Sequence, residues 1–204
     1  SAEYDRNTIL ISSKDKNIKL CWKPGINATS VAELALCYLI LMLREAQQLN
    51  RDLLSGQWSK VNNSRDLSEV TIGIIGFGQI GRKLASFLEP HQSRILVYDP
   101  FLEVNQELQS NIEFLDLDKL LKESDAITLH VPLSESTSRM IGEREIKLMK
   151  KGSVLINLSR GGIVSEDSVH KALGEGHLSG AAFDVFEDEP YNNPKLVAMR
   201  NFFS

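Results

Sequence analysis

From Val70 to the end of the chain, short apolar runs alternate with segments of helical character. The runs are VTIGIIG (70–76), RILVYD (94–99), NIEF (111–114), AITLHV (126–131), SVLINL (153–158), SGAAFDV (179–185) and NFFS (201–204). Val, Ile and Leu dominate them without strict polar alternation, the pattern of parallel strands covered on both faces. QIGRKLASFLEP, LDKLLKES, EREIKLMKK and SEDSVHKALGEG lie between them and are the helix candidates. Such alternation predicts right-handed crossovers and an α/β fold built on a doubly wound parallel sheet.

Upstream, NATSVAELALCYLILMLREAQQLNRDLLSGQW reads as one long helix over about residues 29–55. Thr29 or Ser30 can cap it, Glu33 would complete a capping box with Ser30, and Gly56 would end it. Its apolar face is wide enough to serve more than one neighbour, including a second subunit. The most apolar part, Val31 to Leu43, is thirteen residues long and contains Glu33, whereas a bilayer span needs about 20 residues. Lys23-Pro24-Gly25 is a turn signal. Residues 1–22 have little pattern and read as the tail of a preceding unit, leaving 23–204 as one domain.

Composition narrows the function classes. The 204 residues are 42% hydrophobic and 25% charged, ordinary for a soluble globular protein. A net charge of −4 and a pI near 5.6 argue against a general nucleic-acid or membrane-surface binder. Cys21 and Cys37 form neither a CxxC pair nor a metal-ligand spacing, so no metal and a reduced, cytoplasmic setting are expected. The opening SAEYDRN has none of the character of a signal peptide.

The candidate chemistry gathers at the ends of the apolar runs. GFGQIG fits G-x-G-x-x-G and stands between a strand and a helix, the context that gives this motif meaning. Gly76 permits the tight turn, Gly78 lets the backbone approach a pyrophosphate, and Gly81 allows close helix packing. Asp99 ends the second strand eighteen positions after Gly81, where an acid accepts hydrogen bonds from ribose hydroxyls and repels a 2′-phosphate. The cofactor expected is therefore NAD rather than NADP, on a Rossmann-type core over 70–204. His130, Val131 and Pro132 end the fourth strand at the switch point, with His130 a cofactor contact or a structural residue rather than a general base. In INLSRGGIV, Arg160 calls for an anion at a strand end, and Ser159 with Gly161 and Gly162 would let the backbone approach the dinucleotide. Asp184 ends a further strand, and Glu187, Asp188 and Glu189 form either a solvated charge run or a support for an imidazole.

GFGQIG, VYDP, HVPL, LINLSRGGIVSEDSVHKAL and FDVFEDEP, in this order, closely resemble the D-isomer-specific 2-hydroxyacid dehydrogenases, over about Ile18 to Ser204. NATSVAELAL and GQW are similar to that family's long helix and the arm after it. The resemblance implies that Arg160 binds a substrate carboxylate and polarises its keto group. It implies that Glu189 orients a catalytic histidine and raises its pKa. Gln79 and Ile80 would meet the pyrophosphate through their backbone, Asp99 the ribose, and Val131, Leu158, Ser159 and Asp184 other parts of the cofactor. Two departures stand out. The family's general acid/base lies in P-H-x-G beyond a strand like RNFFS, and none of His91, His130, His170 and His177 matches it. The family's first, substrate-contacting domain has only a short counterpart here. The expectation is the NAD-binding domain of a larger, homodimeric oxidoreductase, with the first domain largely missing, binding cofactor without turning over alone. A NAD(H)-sensing, corepressor-like interaction protein of the same family is the alternative, and a dimerisation module a third.

Overall fold

Seven apolar runs cannot leave their backbone amides and carbonyls unpaired in a core. In the computed structural model, which describes residues 25–60, 63–102, 110–191 and 194–204, they pair into one parallel sheet. The strands are β1 (Thr71–Ile75), β2 (Arg94–Tyr98), β3 (Ile112–Phe114), β4 (Ala126–Leu129), β5 (Ser153–Asn157), β6 (Leu178–Phe183) and β7 (Phe202–Phe203). Their order is β3-β2-β1-β4-β5-β6-β7. The chain works outward from β1 to β3, then returns to the other side of β1 and works outward to β7. The reversal between β1 and β4 opens a crevice at their carboxyl ends, where ligands of such sheets bind.

Side chains alternate across the sheet and feed two cores. Ile72 and Ile74 of β1 join Ile95, Val97, Val154 and Ile156 on one face, and Ile75 joins Leu96, Ile127, Leu129 and Leu155 on the other. The first face is covered by α1 (Ala28–Leu43) and α3 (Gln79–Leu88). The second is covered by α4 (Leu117–Glu123), α5 (Glu143–Leu148) and α6 (Glu166–Gly174). All seven expected strands and all four expected helices form, with ends shifted by a residue or a few. Three short elements were not anticipated: α7 (Pro194–Val197), a 3-10 turn over Leu67–Glu69 closed by an Asp66/Glu69 capping box, and a second 3-10 turn over Glu89–His91.

The single long helix does not form. α1 ends at Leu43 and α2 (Ala46–Leu54) begins after Glu45, whose φ of 49° is left-handed. Tertiary partners impose the break. The Arg65 N–H donates to the Leu43 carbonyl (3.1 Å), taking up an acceptor the helix end frees. Turned off the α1 axis, α2 holds the C-terminal segment: Gln47 Nε2 donates to the Phe202 carbonyl (2.6 Å) and Arg51 Nη1 to that of Met199 (2.8 Å). The buried Asp52 carboxylate pairs with Arg200.

The N-terminus also differs from expectation. Gly25, at φ 74°, turns the chain so that Ala28 N–H donates to its carbonyl, and the helix starts with Asn27 in the capping position and no side-chain cap. Thr29 and Ser30 therefore lie inside the helix. Gly56, by contrast, closes α2 as expected: its N–H bonds to Leu53 O and that of Gln57 to Asp52 O, a Schellman pair. Within this chain α1 buries Ala28, Ala32, Ala35, Leu39, Met42 and Leu43. Met42 fills the space above Gly180, where a Cβ would come within 2.3 Å of its Cε.

Candidate functional site

The crevice floor is built from the loops that follow β1 and β4. Gly76 has φ 94°, and a Cβ there would stand 2.6 Å from the His130 carbonyl oxygen and 2.8 Å from Val131 Cγ1. A Cβ on Gly81 would stand 2.3 Å from the Gly76 oxygen. Gly78 differs, for a Cβ there would meet nothing within 4 Å. Two glycines are thus required by the protein's own packing and the middle one faces open space. Gly78 is the capping residue of α3, and the first helical bond runs from Arg82 N–H to its carbonyl. The amides of Gln79, Ile80 and Gly81 consequently have no acceptor within the helix, and the helix dipole adds positive potential there. This is a cradle suited to a pyrophosphate. The aliphatic part of Gln79 packs beside Gly25, where the chain enters α1.

Asp99 follows β2 and lies beside that cradle. Its Oδ2 accepts from Phe77 N–H (2.9 Å) and its Oδ1 from Phe101 N–H (3.0 Å). Each oxygen keeps a further lone pair for a ligand hydroxyl. The donor set and the open Gly78 side fit the two anionic and diol parts of a dinucleotide.

His130 is a structural piece of the floor. Its N–H donates to Ile75 O (2.7 Å), and its Nε2 lies 3.0 Å from Thr128 Oγ1. Its Nδ1 is buried without a hydrogen-bond partner among the described residues. Burial pushes its pKa down to about 4, so the ring is neutral near pH 7. Val131 is half-buried against Gly76, and the exposed Pro132 accepts at its carbonyl from Thr137 Oγ1 (2.6 Å).

The second half of the site follows β5 and β6. Leu158 and Ser159 are buried, and Ser159 Oγ donates to Leu129 O (2.6 Å), tying this loop to the end of β4. Asn157, 2% exposed, holds the turn from within. Its Oδ1 accepts from Ser159 N–H (3.1 Å) and its Nδ2 donates to Arg160 O (3.0 Å). Its own carbonyl accepts from Asp184 N–H (3.1 Å). Arg160 itself is exposed, and its Nη1 donates to Ser159 O (2.7 Å). Asn157 was not among the expected site residues, although a lone amide side chain in the apolar run SVLIN is a signal for it.

Gly161 does not leave room for a dinucleotide as expected. A Cβ on it would lie 1.7 Å from the Phe186 carbonyl oxygen and 2.8 Å from Glu187 N. The Arg160 loop and the loop carrying Glu189 therefore press backbone to backbone. The exposed Glu189 folds onto its own loop, accepting at Oε1 from Phe186 N–H (3.2 Å), and Phe186 stacks on Tyr191 with centroids 4.0 Å apart. Asp184 is exposed at the end of β6, on the side of α1. Burial, and secondarily the Asp184 charge, push the Tyr38 phenol up. Gly76–Gly81, Asp99 and His130–Pro132 thus form one half of the crevice, and Arg160 and Glu189 lie on adjoining loops in the other. Two clefts of about 490 and 520 Å³ lie elsewhere and are lined by Leu43 and Arg65 among others.

Comparison with known proteins agrees with this geometry. Residues 36–204 match the family "D-isomer specific 2-hydroxyacid dehydrogenase, NAD binding domain". A glyoxylate reductase of Thermococcus litoralis is 38% identical over 97% of this chain and 62% of its own length. A hydroxypyruvate reductase of Thermotoga maritima is 38% identical over 93% and 62%. The crystal structure of NAD-dependent formate dehydrogenase from Staphylococcus aureus in complex with NAD superposes with a TM-score of 0.84 at 34% identity, covering 96% of this chain and 60% of that one. That of D-lactate dehydrogenase from Aquifex aeolicus, complexed with NAD and lactic acid, gives 0.81 at 30%, covering 98% and 66%. The chain thus spans about three-fifths of the length of these two curated reductases. It belongs to the D-isomer specific 2-hydroxyacid dehydrogenases, and its fold is that of their NAD-binding domain.

Proposed function

We propose that this chain binds NAD(H) across the crevice and serves as the coenzyme domain of an enzyme interconverting a D-2-hydroxy acid and its 2-keto acid. The observation that carries the cofactor reading is the contrast among the glycines: Gly76 and Gly81 are closed by packing, whereas Gly78 is open beside the first amides of α3, which have no acceptor within the helix. The pyrophosphate would lie on the Gln79 and Ile80 amides, the adenosine ribose on Asp99, and the rest of the cofactor along Val131, Pro132, Leu158, Ser159 and Asp184. His130 would support this path through its backbone. Bound NADH supplies a hydride to the substrate C2. The Arg160 guanidinium pairs with the substrate carboxylate, where its planar fork fixes orientation. Glu189 supports a histidine that exchanges the proton with the substrate oxygen. His130, enclosed and neutral, does not fill that role.

The substrate class is supported by the relatives' names, glyoxylate reductase and hydroxypyruvate reductase, and by the neighbour complexed with NAD and lactic acid. In this reading residues 23–204 are the coenzyme domain, 1–22 lead to a substrate domain, and the isolated chain binds cofactor without turnover. The enzyme works in the cytoplasm as a homodimer. Ile40, Leu53, Leu54 and Trp58, between 41% and 83% exposed, supply apolar surface for that contact. An interaction protein sensing NAD(H) would use the same crevice, but it has no need of Arg160 and Glu189 on adjoining loops. The test is NADH oxidation by the full-length protein with glyoxylate, hydroxypyruvate and pyruvate. Oxidation with at least one acid, lost in Arg160→Ala, is expected; oxidation with none overturns the reading.

A further inference from the structure

Glu189 is held in a loop whose anchoring the expected machinery does not explain. Two successive amides of that loop are taken by two different glutamates. Phe186 N–H donates to Glu189 itself (3.2 Å), and Glu187 N–H donates to Glu166 Oε1 (2.7 Å). Glu166 is the first residue of α6, six positions after Arg160, and Ser165 caps that helix through Ser168 N–H. One side chain therefore joins the helix that follows the Arg160 loop to the loop that carries Glu189. It acts where the two loops already touch, since Gly161 lies against the Phe186 carbonyl and Glu187 N.

The Glu166 carboxylate makes this bond from within a cluster of acids. Burial pushes the Glu166 carboxyl up, and the charges of Glu187, Asp188 and Asp167 add to that, with the Glu187 N–H opposing them. The four acids, with Arg139 and Tyr191, line a recess of about 150 Å³. The start of α6 favours negative charge at Glu166. Arg139 is a second tie, since its N–H donates to Gly162 O (2.7 Å) and its guanidinium lies 3.7 Å from the Glu187 carboxylate. That guanidinium is 73% exposed, so its ion pair contributes less than the shorter, half-buried Glu166 bond.

We propose that Glu166 is a positioning residue for Glu189: by holding the Glu187 amide it fixes the Glu189 carboxylate relative to the Arg160 loop. The inference rests on the roles given above to Arg160 and Glu189. A carboxylate that supports a proton-transferring group acts through its placement, so loosening its loop lowers the chemical step and spares binding.

The test uses the full-length protein and the variants Glu166→Ala and Glu166→Gln, with Arg139→Ala for comparison. Glu166→Ala is expected to lower kcat about tenfold while leaving the 2-keto acid KM and the NADH Kd within about twofold. Glu166→Gln, whose carbonyl oxygen still accepts, is expected to restore kcat, and Arg139→Ala to change it less than Glu166→Ala. Amide exchange at Glu187 should quicken in Glu166→Ala and return to normal in Glu166→Gln. An unchanged kcat in Glu166→Ala, a Gln variant no better than Ala, or an equal loss of cofactor affinity overturns the proposal. Should the wild-type protein oxidise NADH with no 2-keto acid, it is the functional reading that fails. The Glu187 exchange rate then decides separately, and unchanged exchange in Glu166→Ala overturns the tie itself.

Discussion

The Asp99 carboxylate accepts a hydrogen bond from the Phe77 amide at 2.9 Å, joining the acid at the end of β2 to the second residue of the glycine loop. The same oxygen pair also receives Phe101 N–H. Asp99 is therefore fixed by two amides before any ligand arrives. Asp99→Asn is expected to weaken NADH binding about tenfold to a hundredfold, because bonds to a charged acceptor are worth about 1.5–3 kcal/mol. The preference for NADH over NADPH should narrow in the same variant, since a repelling charge is gone. Competition titrations with the two cofactors measure both effects.

The glycines separate packing from binding. Gly81→Ala would drive a Cβ to 2.3 Å from the Gly76 carbonyl oxygen, a backbone atom that cannot swing aside. Overpacking of this kind costs about 1–3 kcal/mol, so Tm and NADH affinity should both fall. Gly78→Ala meets nothing within 4 Å. It should leave Tm nearly unchanged and weaken NADH binding alone. Thermal melts and titrations on the two variants check the contrast.

How much of this was legible in the sequence depends on the distance over which each feature is decided. The central strands β1, β4 and β5 were legible because each is a largely apolar run buried along its length, whereas the edge strands β3, partly exposed around Glu113, and β7 showed only as short runs. GFGQIG and Asp99 were legible because the motif and its acid are local. The break at Glu45 was not, because Arg and Glu are good helix formers and the interruption is imposed by Arg65 and by the C-terminal segment. Gly161 was misread because its neighbour, Phe186, lies twenty-five positions away in sequence. The Glu166–Glu187 bond spans twenty-one positions and has no local pattern to announce it.

Asn157 is predicted to matter more than its burial alone suggests. Asn157→Ala would remove the bonds that Asn157 makes to Ser159 N–H and to the Arg160 carbonyl, both on the loop after β5. Leaving the buried Ser159 N–H unpaired costs about 1–3 kcal/mol, so a fall in stability of about that size is expected. Asn157→Asp keeps the acceptor for Ser159 N–H but buries a charge and sets an oxygen against the Arg160 carbonyl, so it should not recover the loss. Urea denaturation compares the two.

His130 gives the fold a pH dependence whose sign is fixed by its depressed pKa. The folded imidazole titrates at about 4 and the unfolded one near 6.5, so the unfolded chain binds more protons between these values. Stability from this group is therefore fully present above about pH 6.5 and falls as pH drops toward 4. Between pH 7.5 and pH 5 the loss amounts to about 2 kcal/mol. His130→Gln should remove that part of the pH dependence. Denaturation midpoints of wild type and variant at the two pH values measure it.

The central claim is that the crevice above Gly78 and beside Asp99 is a dinucleotide site. Isothermal titration of NADH into this 204-residue chain, with Gly78→Val as the control, tests it most directly. The account predicts saturable one-to-one binding by the wild type and none by a Gly78→Val variant that melts like the wild type. Absence of wild-type binding up to millimolar NADH, or equal binding by the folded variant, would contradict it.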